Sequence, residues 1–223
     1  MALRWLMRKL DHVTLRDKSY GFLFEPGPPD EVVSIDCETT GLDPSRDEII
    51  SVAAIKIRGD RILASETFQA VARPRVAIAA AAIKVHGLRE IDVCNARPMI
   101  EIIPDLLHFI GGRPLLGYYV DFDIAMLNND VAELLGIHLP NPRIEVSGLY
   151  YERKYGDAPP GTQIDLTFAN ILRDLNLPLF NQHDAFSDAL MTAMIYVNLK
   201  DYAARDVRIA RPRIKPSSDY HGM

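Results

Sequence analysis

The sequence predicts an α/β fold with a mixed sheet, in one domain running from about residue 30 to 200. Three observations predict it. Three strand-like runs stand in succession near the start, separated by turn residues. Helical patterns then alternate with short apolar runs. No internal repeat or low-complexity tract interrupts that order.

The elements follow in order. Residues 1–30 read as an N-terminal extension. Leu3, Leu6, Met7 and Leu10 fall at helical spacing beside Arg4, Arg8 and Lys9. Tyr20, Phe22 and Phe24 alternate as an edge strand would, and Pro26, Pro28 and Pro29 then break the chain. The run from Glu31 to Ile35 has strand composition and leads into Asp36-Cys37-Glu38-Thr39-Thr40-Gly41. Glu48–Arg58 and Arg61–Val71 form a hairpin about Gly59-Asp60, which makes the acidic strand the first of an antiparallel meander. Ala77–Val85 is alanine-rich and helical, closed by His86-Gly87. A second helix runs from about Arg97 to Ile110 and ends at Gly111-Gly112.

Pro114–Tyr118 is a buried strand. Asp121–Leu135 carries Ile124, Leu127, Val131 and Leu134 on one helical stripe. Asn141–Leu149 holds another short strand, and Tyr150–Gly161 reads as a polar loop. Thr162–Leu175 and Ala185–Lys200 are the last helices. Residues 201–223 read as a basic C-terminal tail carrying Arg205, Arg208, Arg211, Arg213 and Lys215.

Composition bounds the function. With 48% hydrophobic and 25% charged residues, the chain has enough apolar content for a sizeable core. A net charge of −5 argues against an overall basic field and indiscriminate duplex binding. Two cysteines, Cys37 and Cys94, make no disulfide framework, so a reducing, cytoplasmic setting is expected. No apolar run approaches the length of a membrane span.

The carboxylates carry the chemistry. Asp36 and Glu38 lie two apart on a strand and share a face, while Cys37 points the other way. Two adjacent carboxylates repel each other unless a cation sits between them. An acidic turn at a strand end is the alternative. Asp123 and Asp188 each stand near a predicted helix start, where the free N–H groups and the dipole favour acids for structural reasons alone.

Taken together, three stretches resemble the DEDDh (DnaQ-like) family of 3′-to-5′ exonucleases. That family includes the proofreading subunit of bacterial replicative DNA polymerase and several RNA-trimming enzymes. Asp36–Gly41 is similar to its Asp-x-Glu-Thr-Thr-Gly motif. Phe122-Asp123 is similar to the end of its second motif, and His183–Ala189 to His-x-Ala-x-x-Asp-Ala. The resemblance spans roughly residues 31–200, the expected exonuclease domain, and Ile83–Gly87 carries the His-Gly often seen in the family. One departure stands out: Tyr118-Tyr119 replaces the usual His-Asn after Gly117.

The resemblance implies a ribonuclease H-like fold, a central mixed five-stranded sheet (three antiparallel strands plus two parallel) flanked by helices. It implies two Mg²⁺ ions, with Mn²⁺ as a substitute, held by Asp36, Glu38, Asp123 and Asp188, and His183 as general base. It provisionally assigns Thr39, Thr40 and Leu42 to the terminal nucleotide. His86 and Tyr119 join them as candidate substrate-binding residues. The expected activity is release of nucleoside 5′-monophosphates from DNA 3′ ends, in proofreading or repair. The expected partner is a single-stranded or frayed 3′ end, with a DNA polymerase subunit as a further one. Trimming of RNA or oligoribonucleotides is the alternative, and a non-catalytic nucleic-acid-binding module a further one.

Overall fold

The structure is a computed structural model that describes Asp11 and residues 13–211. Five strands form one sheet: β1 (Glu31–Thr39), β2 (Ile49–Arg58), β3 (Arg61–Val71), β4 (Leu115–Gly117) and β5 (Arg143–Glu145). Seven α-helices surround it among the described residues. They are α1 (Ala80–His86), α2 (Glu90–Val93), α3 (Met99–Ile110), α4 (Val120–Leu135), α5 (Val146–Tyr155), α6 (Phe168–Asp174) and α7 (Ala185–Ala204). No helix among the described residues is long and apolar enough to cross a membrane.

The strand order is β3-β2-β1-β4-β5. β1 pairs antiparallel with β2 and parallel with β4, and β4 pairs parallel with β5. β1 is therefore the central strand. Its apolar residues Val33 and Ile35 are fully buried, each worth about 1.5–3 kcal/mol on leaving water. The meander and the mixed five-stranded sheet follow the sequence expectation.

The two faces of β1 carry different layers. Val33, Ile35 and Cys37 pack in one core with Ile103 and Leu107 of α3 and Ile124 and Leu127 of α4. Ser34 points to the other face, where its hydroxyl donates to the Ala189 carbonyl of α7 at 2.7 Å. Residues 34, 36 and 38 share that face by the period of a strand. So α7 lies over the acidic side of β1. A second core joins Val146 and Tyr150 of α5, Ile171 and Leu172 of α6, and Ile195 and Leu199 of α7.

Three sequence expectations are corrected, and the described part of the tail is seen to be held. Tyr20, Phe22 and Phe24 are not an edge strand but part of a 3₁₀ helix, Lys18–Phe24. Asp17 caps it through the Ser19 N–H, and Leu23 is its buried residue. Residues 150–155 are not loop but the second half of α5. Glu145 caps that helix through Ser147, and its polar residues hide a buried network in which Lys154 donates to the Tyr150 hydroxyl at 2.9 Å. The predicted helix from 162 begins only at Phe168, because the Asp165 carboxylate takes the Thr167 N–H and hydroxyl at 3.0 and 2.7 Å. That local turn competes with helix. The tail is tied down as far as 211. Ile209 is buried, its N–H bonds the Arg153 carbonyl at 3.1 Å, and Arg211 reaches Asp157 at 2.8 Å. The amphipathic stretch 3–10, Arg213 and Lys215 lie outside the described residues.

Candidate active site

Carboxylate oxygens of Asp36, Glu38 and Asp188 lie within 4.8 Å of one another. Asp36 and Glu38 reach the point from β1. Asp188 descends from the first turn of α7, which Asp184 caps by accepting the Ser187 N–H at 3.0 Å. One oxygen of Asp188 accepts the His183 N–H at 2.9 Å, and the other is buried with no hydrogen-bond partner among the described residues.

Asp123 arrives from the opposite layer. It is buried in the first turn of α4, with the Cys37 N–H facing its carboxylate and drawing its pKa down. It stands outside the group of three, yet its charge is the strongest neighbouring one acting on Asp36. The sequence-predicted acids thus converge on β1 from both faces of the sheet.

The electrostatics are those of a site missing positive charge. Burial, then repulsion from Asp123, Asp188, Glu38 and Asp184, pushes Asp36 well above the usual carboxylate range. Burial, then Asp188 and Asp184, raises Glu38 to about 7. Burial also raises Asp123 well above its ordinary value, with Glu38 and Glu145 adding to it against the Cys37 hydrogen bond. Asp188 is raised by burial, although the His183 N–H and ring draw it back. A cluster of half-buried and buried acids with an orphaned oxygen fits a hard divalent cation, which takes oxygen ligands.

His183 is exposed, on the loop before α7, with a left-handed backbone at φ 64°. Its main chain is fastened to Asp188 while its ring stays at the surface. His86, which ends α1, accepts the Leu88 N–H through Nδ1 at 3.0 Å and has its Nε2 buried without a hydrogen-bond partner among the described residues. Burial pushes its pKa down, and His183 pushes the same way against the nearby Thr39 carbonyl.

The predicted substrate residues divide. Thr39 and Thr40 are buried and shape the turn: Thr39 Oγ1 donates to the Gly41 carbonyl at 2.6 Å, and Thr40 Oγ1 to Asp47 at 2.9 Å. A side chain at residue 41 would put its Cβ 2.5 Å from the Asp47 carboxylate and push that carboxylate off its bonds to Thr40 and Asp43. Leu42 is 86% exposed at the tip. Tyr118 packs inward: its hydroxyl donates to the Leu166 carbonyl at 3.0 Å, and its ring lies 4.9 Å from Phe168. Tyr119 is 66% exposed.

Two residues were not singled out from the sequence. Asp184 adds charge to the cluster, and its place inside the His183–Ala189 motif was the available signal. Glu145 accepts the Val120 N–H at 3.0 Å and the Ser147 N–H at 3.1 Å, so it holds the starts of both α4 and α5. No local pattern in the sequence joins it to residue 120.

Residues 33–196 match a family model described as Exonuclease, of the RNase T type. The chain is 26% identical to DNA polymerase III PolC-type of Thermotoga petrophila over 187 residues, 82% of this chain but 12% of that protein. It is 27% identical to DNA polymerase III subunit epsilon of Aquifex aeolicus over 167 residues, 75% of this chain and 79% of that protein. Among solved structures, a zinc-bound E. coli ExoI–ssDNA complex superposes with a TM-score of 0.67 at 17% identity, over 79% of this chain and 41% of that one. That likeness concerns the fold, which is ribonuclease H-like. Given a family match over most of its length and the acidic cluster on β1, the chain belongs to the DnaQ-like exonuclease family.

Proposed function

We propose that the protein is a divalent-metal-dependent 3′–5′ exonuclease that releases nucleoside 5′-monophosphates from DNA 3′ ends. The convergence of Asp36, Glu38 and Asp188 oxygens within 4.8 Å, beside buried Asp123, carries this reading. The all-carboxylate donor set favours Mg²⁺, with Mn²⁺ as a substitute. Asp36, Glu38, Asp123 and Asp188 would hold two such ions. When bound, such ions supply positive charge to a phosphodiester and make water more acidic.

The protein's own residues do the rest. Whatever negative charge the carboxylates keep at neutral pH opposes an approaching phosphate, and a divalent cation held by them would both favour their ionised form and attract that phosphate. His183 acts as general base. Its backbone tie to Asp188 and its exposed ring, able to take a proton from water and pass it to solvent, support that role. Leu42 offers an apolar surface to the terminal nucleotide, on a turn made rigid by Thr39, Thr40 and Asp47.

DNA as substrate is supported by the relatives named as DNA polymerase III proteins and by the single-stranded DNA in the ExoI complex. The same names support work beside a polymerase. The chain spans only 12% of the Thermotoga protein, so that role is part of the proposal. The test is parallel digestion of 5′-labelled single-stranded DNA and RNA of one sequence, with Mg²⁺ or EDTA. The expected result is stepwise shortening of DNA from the 3′ end with Mg²⁺ only. Faster shortening of RNA would reassign the substrate, and internal cuts would overturn the exonuclease reading.

A further inference from the structure

A cavity of about 1220 Å³ opens at the C-terminal end of β4 and has no part in the chemistry above. It lies between the Tyr118-Tyr119 pair, the segment before α6 and the docked tail. Tyr119 caps α4, and Asp123 follows four residues later, about 6 Å along the helix axis. Tyr119 on the cavity wall is thus about one helical turn from Asp123 at the acidic end of the sheet. Its volume exceeds the ~300–1,000 Å³ of common small-molecule pockets.

Its lining has three parts. The aromatic part is Tyr119, whose ring stays 66% exposed. Its backbone sits at φ 61°, an uncommon region for a residue other than glycine. Its carbonyl accepts the Phe122 N–H at 2.9 Å. Tyr118 braces it edge-on, with ring centroids 4.6 Å apart, and is itself fixed by Leu166 and Phe168. A large aromatic ring is therefore presented to solvent on a rigid base. The aliphatic part is Ile164, 48% exposed. The charged part is Arg173, exposed and bonded to the Asn170 side chain, and Arg211, which a phosphate would share with its ion-pair partner Asp157. Asp165 also lines the cavity as an exposed anion whose carboxylate accepts the Thr167 N–H and hydroxyl, so the phosphates are expected on the Arg173 and Arg211 side.

An exposed ring, an aliphatic neighbour and cations in one groove are the parts of a single-strand nucleic-acid platform. Bases stack on the ring whatever their identity, and cations take the backbone phosphates. A duplex cannot offer a base face there without unpairing. We propose that this cavity receives an unpaired base upstream of the scissile phosphate, stacked on Tyr119, with adjoining phosphates at Arg173 and Arg211. This inference rests on the acidic cluster being the cleavage site. It makes the preferred substrate a single strand several nucleotides long.

The test is fluorescence anisotropy with 5′-labelled oligothymidylates of two to eight nucleotides, in EDTA so that hydrolysis cannot interfere. Wild-type affinity is expected to climb steeply with length. Tyr119→Asn suits the left-handed backbone and removes the ring. It should weaken octamer binding about tenfold, within the range of a lost base–aromatic stack, while Tyr119→Phe stays within twofold. The double variant Arg173→Ala, Arg211→Ala should weaken the octamer and lower its salt slope by about 1.4 for two phosphates. Dinucleotide affinity should move less than twofold in every variant. If Tyr119→Asn does not fold, Ile164→Asp at the exposed rim carries the same expectation. Octamer affinity equal to that of the dinucleotide, or unchanged in these variants, overturns the proposal. Mononucleotide release by the wild type with Mg²⁺ is scored on the same preparation. Release with unaltered octamer binding in the variants sinks the cavity proposal alone, and length-dependent binding without release sinks the cleavage reading alone.

Discussion

Asp36 is held against its own chemistry. A half-buried carboxyl with four acidic neighbours resists ionising, and that resistance is stored as instability of the metal-free protein. Asp36→Asn removes one of the repelling charges and should raise the melting temperature in EDTA by a few degrees. The same change should abolish the further rise that Mg²⁺ gives the wild type, and with it nuclease activity. A metal-free melting temperature below that of the wild type would count against repulsion as the dominant effect. Glu38 gives the pH dependence. Its folded pKa of about 7 stands above the ordinary 4.5, so between those values the folded state holds the proton more often than the unfolded chain does. Its contribution to stability is complete below pH 4.5 and is lost as pH rises through 7. Melts in EDTA should therefore fall from pH 5.5 to pH 8, and saturating Mg²⁺ should narrow that difference. Most of these acids were legible because each motif is local: Asp36 and Glu38 are two apart, and His183 and Asp188 five. The packing of Tyr119 was not legible, because its exposure follows from Tyr118 being pinned by Leu166, 48 positions away.

At the scale of elements, the strands and the long helices were readable and the polar helices were not. α4 has most of its buried stripe written in Ile124, Leu127 and Val131, with Leu135 rather than the expected Leu134 fully buried, and ends at Gly136 in the left-handed conformation. α5 hides its buried face in Tyr150, Lys154 and Tyr155, whose polar atoms are satisfied only by partners such as Asp174 and Asn170. Apolar periodicity cannot see such a helix, since its burial depends on hydrogen bonds from elsewhere. Glu145 links these two elements by taking the first N–H of α4 while capping α5. Glu145→Ala should cost about 1–2 kcal/mol, the range of a lost cap, and Glu145→Gln less. Urea unfolding of the three proteins checks this, and equal midpoints for all three would remove Glu145 as the link.

Across the whole molecule, the sheet is closed at the far end from the acids by an ion cluster around buried Glu31. Glu31, at the start of β1, accepts from Arg58 of β2 at 2.6 Å and from Arg113, just before β4, at 2.7 Å. Burial alone would raise the Glu31 carboxyl, but the hydrogen bonds from Arg113 and Arg58 hold it below its ordinary pKa. Arg113→Ala leaves Glu31 buried with half its compensation and should destabilise the fold by about 2–3 kcal/mol, less than the loss of a sole partner. Denaturant titration measures it, and a loss below 0.5 kcal/mol would show Arg58 sufficient. β1 is thus anchored by charge pairing at one end and left with unpaired like charge at the other, where β1, β4 and β5 all end in parallel. Ligands collect at that end of such sheets. The most direct measurement is a time course of 5′-labelled single-stranded DNA with Mg²⁺, run on the wild type and on Asp188→Asn. The prediction is a ladder shortening from the 3′ end with nucleoside 5′-monophosphate as product, lost with EDTA and lost in Asp188→Asn although that variant folds. Undiminished digestion by Asp188→Asn, or by the wild type in EDTA, would contradict it.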